Sequence, residues 1–372
     1  MKINKIELKI IFNSFGDKTV EATINGKFSA SSPYGISKSS FRAREVDVKR
    51  GVKNFNKIKN ILIGSFTQEK LDRLLMKNIS KLGTSVTTAI SLAFFNATFK
   101  PKTNEFPRLL GNVLGGGSFS IANKSLIEIQ EILTIPMNRT IPESVETNFL
   151  IWKEVSEKLK RKGKLLGLNP ESGWMANITN EEALYLVTNI AESYGARVGI
   201  DFAASHIFKK GKYVYHDKKR SREEHIDYVI DLIKTYKLLY VEDPIHENDP
   251  DGYREIKKRT KALICGDDLT ATHPSRVLEM VRRGSINSVL IKPNQSGNVT
   301  DCLKIIEMSK ENNTKTVVSH RSKETCSPIV ARLSLMSDLA KFGVAGIRIC
   351  KLNELMRLWN QTKNPRMKKL KL

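Results

Sequence analysis

Five short apolar runs in the second half of the chain each lead into a residue able to hold a cation or move a proton. These residues are Asp201, Glu242, Asp267, Lys292 and His320, and they stand 41, 25, 25 and 28 positions apart. Three carboxylates of this kind suit a hard cation such as Mg2+, which takes oxygen ligands and keeps several waters. A lysine and a histidine beside them supply groups that take up and release protons. A single acid after an apolar run is ordinarily a turn former or a helix N-cap. Five polar residues in the same register argue for a shared site instead.

The spacing also indicates which elements position them. A strand, a crossover helix and the loops between them occupy about 30 residues. Apolar runs of this length, bounded by polar turns and alternating with helical stretches, read as buried parallel strands. Parallel strands of one sheet run the same way, so their C-terminal ends gather on one face. In a βα barrel that face is the mouth where chemistry is done.

Upstream of these runs the pattern changes. Residues 1–30 alternate like antiparallel strands, with turns expected at Gly16-Asp17 and at Asn25-Gly26, the latter a hairpin signal. Residues 31–39 form a polar, glycine-containing loop. Residues 50–65 and 68–98 carry helical periodicity, and the second ends in an apolar stretch from Val86 to Phe95. The turn-rich segment 101–107 marks a domain boundary. The reading is therefore α/β, with a small α+β capping domain over 1–107 and a βα barrel over 108–372. The barrel should open with a strand running into Gly115, Gly116 and Gly117, then a strand over Ile127–Pro136, with an irregular strand order at this start. A helix near 142–163, a loop over 164–180, a helix over 180–194 and a terminal amphipathic helix over 347–361 follow, before a basic tail.

Bulk properties narrow the class. With 372 residues and 40% hydrophobic content the chain can bury a full core. No stretch approaches the roughly 18 apolar residues of a membrane span, and the first residues lack a signal-peptide core. The four cysteines are far apart and form no metal-binding or disulfide framework, which points to a reducing, cytoplasmic setting. The net charge of +23 favours anionic partners. It is compatible with a solvated surface, with steering of an anionic substrate, or with an RNA or other anionic partner; the basic clusters at 209–212, 216–222 and 363–371 lack the aromatic interleaving of a single-strand-binding surface.

Several strings go further. Glu242-Asp243-Pro244-Ile245, Gly266 through Pro274, Leu290 through Gly297, and Ser319 through Thr325 resemble the enolase (phosphopyruvate hydratase) family over nearly the whole chain, as do Ser14–Ala22 and Asn112–Ser118. The resemblance implies an enolase-type βα barrel (TIM-barrel-like) and the reversible dehydration of 2-phosphoglycerate to phosphoenolpyruvate with two Mg2+ ions per site. On this resemblance Asp201, Glu242 and Asp267 hold the tighter ion, and Ser37 in the mobile loop helps hold the second. Lys292 is the base for the C2 proton. Glu171, with Glu131 beside it, protonates the departing C3 hydroxyl, since mutual repulsion keeps one acid of a close pair protonated. Lys341 is the second catalytic lysine and His320 a further catalytic residue. Arg321 and Ser322 hold the phosphate, and Gln130 and Gly35 belong to the substrate-binding set. A homo-oligomer, dimer or larger, is also implied.

The chain departs from the family pattern in places. The usual histidine after the glycine run is Phe119, so one polar substrate contact is missing. The usual Gly-Asp-Glu-Gly-Gly loop reads Asn169-Pro170-Glu171-Ser172-Gly173, the first mobile loop reads Ser37-Lys38-Ser39, and the segment 341–348 is about two residues short. Two alternatives therefore stand beside the enolase reading. One is a superfamily paralogue that abstracts an alpha proton from a different carboxylate; the other is a non-catalytic basic protein that binds RNA or another anion.

Overall fold

The computed structural model describes residues 1–35, 43–101, 103–117 and 125–370. Ser37 and Phe119 lie outside the described residues.

The chain begins with an antiparallel meander of β1 (Ile6–Phe12), β2 (Lys18–Ile24) and β3 (Phe28–Ser31). Its turns fall where Gly16 and Asn25-Gly26 take positive φ. Helices α1 (Val48–Ile58), α2 (Gln68–Lys77) and α3 (Ile79–Thr98) follow. The periodicity over 50–65 overran: α1 ends in a 3-10 turn at Leu62. The expected helix over 68–98 divides at Asn78, and Gly83, at φ 77°, breaks it again. From Leu82 to Phe95 every residue of α3 is buried, because this helix is sandwiched between the meander and the rest of the molecule.

Eight of the later strands close a barrel. They are β4 (Arg108–Leu114), β5 (Glu131–Pro136), β6 (Ala196–Asp201), β7 (Tyr240–Glu242), β8 (Leu263–Gly266), β9 (Ser288–Ile291), β10 (Lys315–Ser319) and β11 (Leu339–Lys341). From β6 to β11 each strand pairs in parallel with the next, and β11 closes in parallel onto β4. The irregular start is β5, antiparallel to both of its neighbours. The reversal has a direct consequence: Glu131, the first residue of β5, stands opposite Asp201, the last residue of β6. Both therefore reach the same rim.

The strand expected over 127–136 begins only at Glu131. Before it, the carbonyls of Ile127 and Ile129 accept from Gly117 N and Gly116 N, both at 2.9 Å. The glycine run permits this approach, since a Cβ on Gly115 or Gly116 would lie 2.1 Å from a backbone oxygen of that segment. The expected loop over 164–180 contains a short hairpin, Leu165–Leu168 with Trp174–Ala176, which adds to the edge of β4. Crossover helices α4 (Ile141–Arg161), α5 (Asn180–Ser193) and α6 (Arg222–Thr235) each start at a capping box built on Thr140, Thr179 or Ser221. Inside the barrel Leu110, Leu133, Tyr240, Leu263, Leu290, Val317 and Leu339 form a separate apolar plug, so the interior is packed rather than open.

The N-terminal elements grip the loop that follows β10. Tyr34 bridges Lys323, Ser14 N donates to Glu324 O at 2.8 Å, and Ser31 Oγ donates to Thr325 Oγ1 at 2.7 Å. That loop begins with His320, Arg321 and Ser322. Among the described residues no helix is long and apolar enough to cross a membrane.

Candidate active site

Asp201 and Glu242 are the last residues of β6 and β7, and Asp267, Lys292 and His320 directly follow β8, β9 and β10. All five are buried. One cavity at the C-terminal rim is lined by Asp201, Asp267, Lys292, His320, Arg321, Ser322, Gln130, Glu131, Glu171 and Lys341, with Glu242 in contact through Lys341. The structure thus brings together every expected site residue that it describes apart from Gly35. Gly35 lies against Arg321: a Cβ there would fall 1.5 Å from a guanidinium nitrogen, so only glycine fits beside that side chain as it stands.

Two lysines organise the acids. Lys341, the last residue of β11, donates to Asp201 Oδ2 and to Glu242 Oε2, each at 2.9 Å, and touches Glu131 Oε2. Burial alone would lower its pKa, but Asp201, Glu131 and Glu242 outweigh burial and hold it well above the ordinary lysine value. Lys292 Nζ donates to Asp267 Oδ2 at 2.5 Å, and Gln295 Nε2 donates to Asp267 Oδ1 at 2.9 Å. Burial would raise the Asp267 carboxyl, yet the charges of Lys292 and Arg321 hold it at about 2.

The second cluster is Glu131, Glu171 and His320, whose ligand-capable atoms all lie within 4.8 Å of one another. Glu131 is pushed well above the carboxylate range, first by burial and then by the Glu171 charge. Burial also acts on Glu171, but hydrogen bonds from Glu131 and His320 and the charge of Arg348 hold it well below its ordinary value. Two carboxyls this close share one proton between them. His320 is neutral: burial, then Arg348, brings its pKa down to about 3. Ser322 Oγ donates to Glu171 Oε1 at 2.7 Å, and Arg348 Nη2 donates to the carbonyls of Arg321 and Ser322 at 3.0 and 2.9 Å, which fixes this corner.

Asp243 and Asp268 were not expected at the site. Asp243, at φ 41°, accepts from the backbone N–H of Asp267 and of Asp268 at 2.9 and 2.8 Å, and from Tyr253 OH at 2.7 Å. It therefore sets the turn that aims Asp267. The signal was in the chain as a doubled acid, Glu242-Asp243 and Asp267-Asp268, after each of two consecutive barrel strands.

Asp201 and Glu242 are joined through Lys341, while Asp267 sits on Lys292 and Gln295. The donor set fits a hard divalent cation: Glu242 Oε1 is buried and has no hydrogen-bond partner among the described residues. An unmet buried carboxylate oxygen is costly, and it is the ligand type that Mg2+ prefers. Burial, then the Asp201 charge, pushes Glu242 up to about 8; burial, then Asp267, pushes Asp268 up to about 7.

These shifts have a measurable sign. Above their ordinary values of 4.5 and 3.8, Glu242 and Asp268 hold protons in the folded chain that the unfolded chain has released. The folded state then binds more protons, so stability falls as pH rises toward 8. His320 acts in the opposite sense only below its ordinary value of 6.5. Between about pH 6.5 and 8 the thermal midpoint of the ion-free protein is therefore expected to fall by a few degrees, and excess Mg2+ should flatten the decline by binding the ionised folded form. A midpoint that is level across this window without Mg2+ would refute the assignment.

Comparison with known proteins supplies an independent line. The family described as Enolase, C-terminal TIM barrel domain, matches residues 104–366. The chain is 34% identical to an enolase of Archaeoglobus fulgidus, with 99% of each chain covered. It is 35% identical to an enolase of Picrophilus torridus and 36% identical to one of Methanocorpusculum labreanum, each over 96% of this chain and 98% of the relative.

Proposed function

The chain belongs to the enolase family, a phosphopyruvate hydratase-like hydro-lyase, and from that premise we propose that it catalyses the Mg2+-dependent, reversible dehydration of 2-phosphoglycerate to phosphoenolpyruvate. The observation that carries this reading is the cavity that Lys292 shares with the proton-sharing pair Glu131 and Glu171. Dehydration needs a base for the proton alpha to the carboxylate and an acid for the leaving hydroxyl, and this cavity offers one of each.

Lys292 takes the C2 proton. The Glu171–Glu131 pair delivers a proton to the departing C3 hydroxyl, with His320 and Ser322 holding Glu171 in place. Arg321 and Ser322 meet the phosphate, and Gln130 lines the cavity beside Asp201, to which it donates at 3.4 Å. Asp201, Glu242 and Asp267 would hold Mg2+, with Ser37 assigned to the second ion. When bound, the ions supply positive charge that lowers the energy of the enolic dianion, as in enolase-superfamily sites generally. Lys341 keeps Asp201, Glu242 and Glu131 together as one acidic wall.

In this reading residues 1–107 form the capping domain and 108–372 the catalytic barrel. The chain assembles as a dimer or larger homo-oligomer. Phe149 and Leu150 on α4 are exposed, Phe149 stacks on Trp152, Trp152 stacks on Trp174, and the paired strand exposes Leu166 and Leu168. Such a continuous apolar face suits burial against a second copy. Phe149→Asp is expected to shift the sedimentation coefficient to that of a monomer; an unchanged coefficient would place the interface elsewhere.

The direct test of the reaction is the ultraviolet absorbance of the conjugated product, followed with purified protein, 2-phosphoglycerate and Mg2+. A rise that requires Mg2+ supports the reading. No rise, with Mg2+ still bound, would transfer the site to another carboxylate substrate.

A further inference from the structure

Among the side chains that line the site cavity, His206 is one that the reaction above leaves unused. His206 ends the short helical turn Ala204–His206 that follows β6. Its Nε2 is buried and has no hydrogen-bond partner among the described residues. The turn that carries it is held rigidly. Ala203 takes a left-handed φ of 48°, Ala204 N donates to Asp243 O at 3.1 Å, and Ser205 Oγ accepts from Glu247 N at 3.0 Å. His206 thus stands on the same scaffold as the acids: Asp243 aims Asp267 with its side chain and anchors the His206 turn with its carbonyl.

We propose that His206 is a substrate-binding residue, whose Nε2 donates to an anionic oxygen of the phosphorylated substrate. The inference rests on the dehydratase reading for the identity of the substrate, although not for the contact to a phosphate. A buried ring nitrogen with no partner is a cost in the empty site, and a phosphate or carboxylate oxygen removes that cost on binding. Burial of the ring lowers its pKa, while Glu247 and Asp267 act to raise it. An arriving anion favours the protonated form, so the ring can donate to the anion.

The test compares the unmodified chain with His206→Ala and His206→Gln, in Mg2+ with 2-phosphoglycerate. His206→Ala is expected to raise KM by about tenfold or more, the size of one hydrogen bond to a charged group, with kcat changed less than KM. His206→Gln, whose side-chain amide can also donate, is expected to recover part of that loss. An unchanged KM in His206→Ala overturns the inference. So does a loss of kcat alone, or a loss accompanied by a fall in thermal midpoint that His206→Gln shares. If the unmodified chain shows no turnover, the dehydratase reading fails by itself. The His206 contact is then decided by calorimetric titration with inorganic phosphate: weaker binding by His206→Ala sustains it, and equal binding overturns it.

Discussion

Lys292→Ala is expected to lower turnover of 2-phosphoglycerate by about 10²–10⁴-fold, the range spanned by positioned acid–base groups, while leaving Mg2+ binding intact or tighter. The two halves of this result follow from one contact. Lys292 Nζ rests on Asp267 Oδ2, so its removal takes away the base and also frees an acid assigned to the cation. Asp267 keeps Gln295 and the turn fixed by Asp243, so its position should survive. Exchange of the C2 proton with deuterated solvent reads the base alone and should vanish in the variant. Lys292→Arg, which retains the charge without a neutral form at working pH, should be as inactive as Lys292→Ala. Parallel loss of Mg2+ affinity and activity would show that Lys292 serves the acids and not the proton.

Lys341→Met should have the largest effect on stability. Its ammonium is buried among Glu131, Asp201 and Glu242, and Glu242 is fully buried. Removing one partner of a buried ion pair costs about 3–5 kcal/mol, because the remaining charges are left without compensation. The thermal midpoint is expected to fall by several degrees or more. Mg2+ should restore part of the loss, since it offers the same acids positive charge. Two results would contradict this account: an unchanged midpoint, or a fall that Mg2+ does not touch.

The chain sequence made the chemistry easier to read than the architecture that surrounds it. Asp201, Glu242, Asp267, Lys292 and His320 were legible because each ends a run of buried residues, and a parallel sheet turns that linear register into spatial convergence. Lys341 was harder to place, since the segment after it is short, but it ends β11 in the same register as the others. The hairpin Leu165–Leu168 with Trp174–Ala176 was missed because its strands are only four and three residues long, and Gly167 interrupts the first. The long helical pattern over 68–98 hid two breaks, since residues on either side of Asn78 and Gly83 keep helical composition and only the backbone angle at Gly83 reveals the bend. His206 carried no signal of its own: it lies after the strand end, and a lone histidine in a loop is ordinary. Its meaning came from the cavity.

The barrel closes only when β11 pairs with β4, and Lys341 is the last residue of that closing strand. During synthesis, Glu131, Asp201 and Glu242 therefore all leave the ribosome before the cation that joins them. The acidic rim of a nascent chain must stay hydrated and open until that closing strand has been made. Any stop codon before position 341 would remove the final stave and the counter-charge together, leaving a product that could neither seal its sheet nor reconcile its acids.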